Sequence, residues 1–254
     1  MDIDWAEVWA AWRREVRTPP DFWDRAAPRF YRSAKRRRVE VERFLDWLLG
    51  ELGLGGGSSV LEVGAGAGAY AVPLAKRVSR VVAVEPSREM ARYLRKYAEE
   101  EGVKVDVVEK RWEEVSLEEV GRHDLALAAH SLLVEDLRGA VEKLEEAARC
   151  VCVVLHVGVP GWAQLYRSLG VERPHRPWFT AFYNFLLQRG VYANVRIFER
   201  DVVREYPSVE EAAEDLGVEV ERVVEALPRL GRRGDGGVVF KYKVKEAAVW
   251  WCRR

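Results

Sequence analysis

Cysteine is scarce in this chain, and methionine, histidine, asparagine and glutamine are scarce with it. The three cysteines, Cys150, Cys152 and Cys252, supply neither a metal-ligand spacing nor a disulfide framework. Cys150 and Cys152 alternate onto one face of an expected strand, where they read as small apolar side chains. With no His/Cys/Asp/Glu constellation at ligand spacing, no metal is expected. No apolar run approaches the roughly 20 residues a membrane span requires. The mixed start Met1-Asp2-Ile3-Asp4-Trp5 has no basic-then-apolar plan of a signal peptide, so the cytoplasm is the expected compartment. Net charge is missing too, because 41 Lys and Arg offset 41 Asp and Glu, and no global field draws the chain to nucleic acid. A composition 32% charged and poor in heat-labile residues leans toward a thermophilic source.

What is abundant is glycine in one place. Val60, Leu61 and Val63 form a short apolar run, the chain breaks into Gly64-Ala65-Gly66-Ala67-Gly68, and a helical pattern follows through Tyr70, Ala71, Leu74 and Ala75. Glycines in such a loop let backbone N–H groups approach a ligand at the start of a helix. A second apolar run, Val81 to Val84, ends in Glu85, a carboxylate placed to accept from both hydroxyls of a ribose. The loop also satisfies the loose dinucleotide pattern, with an acid about 20 residues on.

Glu62 separates the two readings. A pyrophosphate at the loop would be opposed by a carboxylate two residues before its first glycine, whereas the cationic amino group of a methionine moiety would be favoured by it. The stretch Val60-Leu61-Glu62-Val63-Gly64-Ala65-Gly66-Ala67-Gly68 resembles the first motif of the class I methyltransferases that use S-adenosylmethionine. The resemblance implies an α/β fold, doubly wound around a mostly parallel seven-stranded sheet, with an antiparallel final strand and added N-terminal helices. It implies S-adenosyl-L-methionine as cofactor and S-adenosyl-L-homocysteine as product. It would place Glu62, Gly64, Ala65, Gly66 and Gly68 at the methionyl half, Glu85 at the ribose with Pro86 and Met90 beside it, Arg111, Trp112 and Glu113 at the adenine, and Ala129 and His130 along the cofactor's other side.

Strand and helix patterns alternate along the rest of the chain, which argues for a parallel sheet. Residues 1–57 read as an N-terminal helical cap, with Trp5, Val8, Trp9, Trp12 and Val16 on one helical face, Phe22-Trp23-Asp24 after the Thr18-Pro19-Pro20 break, and Phe30 and Tyr31 as candidate lid contacts. Residues 58–254 read as one methyltransferase-like domain, with further strands at Val103–Val108, His123–His130, Cys150–Val157 and within Val191–Tyr206, and a last one through Phe240 and Trp251. A helical insertion at about 160–190 carries Trp178, Phe182 and Tyr183, candidates for the wall of a substrate pocket. His130 and His156 close the fourth and fifth expected strands, at the edge where ligands of such sheets bind, and are the candidate general bases. Either could instead serve only to bond backbone.

The leading expectation is methyl transfer to a small or medium-sized acceptor. The basic run Lys35-Arg36-Arg37-Arg38 and the Arg173-to-Arg176 connection keep an RNA or protein methyltransferase as an alternative. A binding-only protein and an NAD-dependent oxidoreductase are the others. His130-Ser131-Leu132-Leu133 lacks the Asn/Asp-Pro-Pro-aromatic motif of base amino methylases. Oligomeric state is not legible.

Overall fold

The computed structural model describes residues 3–16, 18–19, 21–159, 161–172, 175–230 and 237–253. Met1, Asp2, Pro20 and Arg173, all named above, lie outside the described residues.

Three helices come first: α1 (Trp5–Glu15), α2 (Phe22–Arg36) and α3 (Arg38–Leu52). Asp4 caps α1 by accepting from the Ala6 and Glu7 amides, and Gly53, at φ 63, closes α3 in the left-handed conformation that glycine tolerates. The sheet then begins with β1 (Ser59–Val63), α4 (Ala71–Ala75), β2 (Arg80–Val84), α5 (Arg88–Glu100), β3 (Asp106–Val108), a 3-10 turn at Trp112–Glu114, α6 (Leu117–Val120), β4 (His123–Ala129), α7 (Leu137–Ala147) and β5 (Ala148–His156). There follow α8 (Gly161–Ser168), α9 (Trp178–Gln188), β6 (Asn194–Tyr206), α10 (Val209–Leu216), α11 (Val220–Leu230) and β7 (Val238–Cys252).

The seven strands hydrogen-bond in the order β3-β2-β1-β4-β5-β7-β6. The pairs β1/β2, β1/β4, β2/β3 and β4/β5 are parallel, and the sheet is mixed because its last strand returns antiparallel. β1 and β4 are buried on both faces, which is why they read as unbroken apolar runs rather than alternations. The third strand is shorter than the sequence suggests. Val103 N–H caps the end of α5 by donating to Ala98 O at 3.0 Å, so Val103 belongs to the helix terminus.

Two compact units emerge. The first comprises residues 1–154, 181–194 and 249–254, and so includes the N-terminal helices together with the glycine loop. The second comprises residues 155–180 and 195–248, with its own core of Leu165, Leu169, Ala212, Leu216, Val223 and Phe240. Amphipathic α10 and α11 bury their apolar faces there, which an insertion confined to 160–190 would not have supplied.

Cys150 and Cys252 are joined in a disulfide, which corrects the reading of Cys150 as a free apolar side chain. The pairing is invisible at the level of spacing because 102 residues separate the two. It follows from topology: the end of β7 runs beside the start of β5, with Arg253 N–H on Arg149 O at 2.9 Å. Cys152 stays a buried thiol.

Candidate active site

The glycine loop sits at the carboxyl end of β1, and its three glycines have three different jobs. All have positive φ, 71, 56 and 85 for Gly64, Gly66 and Gly68. A Cβ on Gly64 would lie 2.3 Å from Ser131 Cβ, and one on Gly68 would lie 3.0 Å from Val72 Cγ2 and 3.1 Å from Leu94 Cγ. These two glycines allow close packing of the strand ends and of α5. A Cβ on Gly66 would meet nothing within 4 Å. Gly66 therefore borders open space rather than packed protein.

Register places Glu85 level with Gly64 and two residues beyond Glu62, because Glu62 pairs with Ala83 and Val63 with Val84. The Gly64 and Ala65 amides both donate to Val84 O, at 2.7 and 3.2 Å. Glu85 accepts from Gly66 N–H at 2.7 Å and from Ser87 N–H at 2.9 Å, so the loop amides are largely turned onto protein. What the loop offers a ligand is thus the space above Gly66 and the carboxylate of Glu85, rather than a row of free N–H groups.

Glu62 lies beneath, 1% exposed, and its Oε2 has no hydrogen-bond partner among the described residues. Burial pushes its carboxyl well above the usual carboxylate range and the charge of Glu85 pushes further, while the Ala71 N–H pulls the other way. Burial likewise raises Glu85, against the two amides that favour its anion. An orphaned buried oxygen behind an open loop is costly for the protein alone. It fits the cationic amino group of a methionine moiety, and the set of Glu62, Gly66 and Glu85 fits S-adenosylmethionine.

A pH dependence follows. The unfolded chain releases the Glu62 proton near 4.5, whereas the folded chain holds it to higher pH. Between those values the folded state binds more protons, so stability should fall as pH rises through that window and level off above it. Denaturant titrations from pH 4.5 upward should show this slope, and Glu62→Gln should flatten it and leave the variant more stable than the parent at neutral pH.

The neighbours of this centre were only partly legible. Met90 is 1% exposed and packs with Ala26, Ala27 and Ala67, so it supports the loop from behind and offers a ligand no surface. Pro86 is exposed. Ser87, unremarked as a site residue, caps α5 through its own oxygen and donates to Asp24 of α2 at 2.6 Å, which ties the Phe22-Trp23-Asp24 segment to the turn after Glu85. Tyr31, a candidate lid contact, instead stacks on Tyr93 and donates to Glu100. Phe30 is 38% exposed and meets Trp23 edge-on.

At the end of β4, Ala129 is half-buried and His130 has φ 58, the one non-glycine positive φ among the described residues. Strain of this kind concentrates at functional sites. His130 N–H donates to Val154 O at 2.9 Å, and the following Ser131 donates through Oγ to Val63 O, which holds its Cβ over Gly64. Ser131 was missed in the sequence because its role is contact, not chemistry.

Trp112 departs from its expected role of covering an adenine. It is 4% exposed, with its indole N–H on Ala140 O at 3.1 Å, so the ring is core between the 3-10 turn and α7. A buried indole needs one acceptor, and the helix carbonyl supplies it. Arg111 and Glu113 are exposed on the same loop. Phe182 is also a correction: it is fully buried, 6.2 Å from the rings of both Trp9 and Trp251, and lines no pocket. Tyr183 is half-buried and donates to Ala193 O at 3.2 Å. In the second unit, His156 and Trp178 are each half-buried, and His156 ends β5.

The basic run is largely consumed. Lys35 pairs with Glu100 at 2.8 Å, Arg37 with Glu40 at 3.1 Å, and Arg38 with both Glu42 and Glu101 at 2.9 Å.

Residues 60–152, the span holding the loop and the first five strands, match the family described as "Methyltransferase domain". A protein of uncharacterised function from Haemophilus influenzae is 27% identical over 206 residues, 79% of this chain and 75% of that one. Among solved structures, a candidate methyltransferase of Bacillus halodurans superposes with TM-score 0.54 at 15% identity over 81% of this chain and 96% of that chain. YcgJ of Bacillus subtilis does so with TM-score 0.52 at 16% identity over 81% and 97%. A candidate RNA methyltransferase of Pyrococcus horikoshii does so with TM-score 0.51 at 14% identity over 97% of both chains. With the sheet order and the acid-flanked loop already in place, residues 60–152 are similar to a methyltransferase domain, and the fold is that of the class I methyltransferases.

Proposed function

We propose that the methyl group goes to a small or medium-sized acceptor at O, N or C, and that Glu62, Gly66 and Glu85 hold the cofactor. The observation that carries the reading is the partnerless Oε2 of Glu62, 1% exposed, beneath an open glycine loop. When bound, S-adenosylmethionine supplies an activated methyl on a sulfonium, so alignment and exclusion of water are the protein's main tasks. Glu62 orients the amino group and Glu85 the ribose. Helices α1 to α3, within residues 1–57, act as the cover over the cofactor. His130 receives the acceptor's proton, in a backbone conformation that the chain maintains at a cost of about 1 kcal/mol. His156 serves only if His130 does not, and Trp178 and Tyr183 are the remaining aromatic candidates for acceptor contact.

An RNA acceptor is less well supported, because three of the four basic residues at 35–38 already face carboxylates. Among the described residues no helix is long and apolar enough to cross a membrane. A cytoplasmic site in a heat-adapted organism would reconcile the composition with a disulfide, which is rare in the cytoplasm of other cells.

His130→Ala should lower turnover about 100-fold while SAH affinity stays within about twofold. An equal loss in both would remove His130 from the chemistry. The acceptor itself is tested by labelled methyl transfer into cell-extract fractions with and without nuclease. A nuclease-resistant product of low mass is expected; a nuclease-sensitive product would establish RNA, and no product in any fraction would favour binding alone.

A further inference from the structure

Lys143 lies on α7, outside every motif considered so far, and its ammonium group is fully committed. Nζ donates to three backbone carbonyls of the loop after β3: Trp112 O at 2.7 Å, Glu113 O at 3.1 Å and Val115 O at 3.0 Å. An ammonium has three hydrogens, and here each has one acceptor. The same charge lies 4.9 Å from the centroid of the Trp112 ring, whose indole N–H reaches Ala140 O one turn earlier on α7.

Within the 3-10 turn Trp112 O accepts from Val115 N–H, and Lys143 gives it a second donor while reaching Glu113 O and Val115 O as well. One cation gathers all three, so a point on α7 fixes the path of the loop together with the loop's own bonds between Arg111 and Glu114. Arg111 and Glu113, the loop's exposed side chains, take their directions from that path. Burial holds the Lys143 ammonium below the ordinary lysine range, with Glu113 opposing, which is the cost of drawing a charge under the loop.

We propose that Lys143 is a positioning residue: by gathering the three carbonyls it shapes the loop after β3 for the adenine of the cofactor, and so sets the enzyme's discrimination among purine bases. This rests on the reading that the loop after β3 meets the adenine. A residue that merely stabilised the fold would affect all nucleoside ligands alike. One that shapes the base site affects the choice between bases.

The probes are S-adenosylhomocysteine and S-inosylhomocysteine, which differ only in the base, measured by calorimetry on the full chain after circular dichroism has verified folding. The parent protein should prefer the adenine ligand. Lys143→Met, which keeps the length and removes all three donors, should weaken S-adenosylhomocysteine about tenfold and bring the preference close to one. Should that variant not fold, Lys143→Gln, with two donors and no charge, carries the same comparison and the same expectation. Equal weakening of both ligands, or affinity within twofold of the parent, would overturn the proposal. A parent protein with no preference between the ligands would instead remove the adenine reading of the loop, and the proposal with it.

Discussion

Gly64→Ala should destabilise the protein by about 2–5 kcal/mol, while Gly66→Ala should cost about 1–2 kcal/mol and weaken cofactor binding. Both positions are left-handed, at φ 71 and 56, and alanine there costs about 1–2 kcal/mol by backbone sterics alone. The difference lies in what each new methyl meets. At Gly64 it would stand 2.3 Å from Ser131 Cβ and 3.5 Å from Ser131 Cα, and Ser131 has no freedom to withdraw because its hydroxyl is bonded to Val63 O. Overpacking of this kind adds about 1–3 kcal/mol. In a domain of this size the sum corresponds to a fall in melting temperature of roughly 10 °C. At Gly66 the methyl points into open space and the fold has nothing to yield. It occupies the place proposed for the cofactor, so SAH affinity should drop by about tenfold or more. Thermal melts with and without SAH separate the two. A Gly64→Ala protein that melts within 2 °C of the parent would show that the strand ends are not packed as described.

Reduction of the Cys150–Cys252 disulfide should have an effect of similar size. The bond closes a loop of 102 residues, for which constraint of the unfolded chain is worth about 4–5 kcal/mol in the chain-entropy account. Cys152 does not compete for the pairing. Burial pushes its thiol far up, leaving little thiolate to attack the neighbouring disulfide. Melting temperature should therefore fall by roughly 10 °C in dithiothreitol, and Cys252→Ser should melt at that lower temperature with or without reductant. A melt insensitive to reductant, with one thiol titrating in denaturant beforehand and three afterwards, would mean that the bond forms but contributes nothing to stability. Three thiols from the start would mean that it does not form.

How much of this was legible in the sequence depended on whether the cause was local. The strand, glycine loop, helix and second strand around Gly64 were readable because each turn is made by its own residues. The cap of α10 was equally plain, with Ser208 accepting from Glu211 N–H and Gly217 closing the helix at φ 62. The fates of Trp112 and Phe182 were not readable. Both sit in segments where an aromatic could face solvent, ligand or core, and the deciding partners, Ala140 and Trp251, lie 28 and 69 positions away. The disulfide and the core of the second unit were hidden for the same reason, since each depends on where a distant strand returns. The candidate site shows both cases at once: Glu62 and Glu85 could be found by spacing, but Ser131 and Lys143 hold backbone groups of other segments, and Ser87 the side chain of Asp24, contacts that leave no pattern in their own segments.

The central claim is that two buried acids and an open glycine loop receive a nucleoside bearing a cationic amino acid. Calorimetry with S-adenosylhomocysteine and with NAD on the same preparation tests it directly. One molecule of S-adenosylhomocysteine should bind per chain, NAD should give no heat, and Glu85→Ala should weaken binding about 30-fold or more, the loss of charge-assisted hydrogen bonds worth about 2 kcal/mol. Absence of S-adenosylhomocysteine binding, or NAD binding that survives Glu85→Ala, would contradict the account.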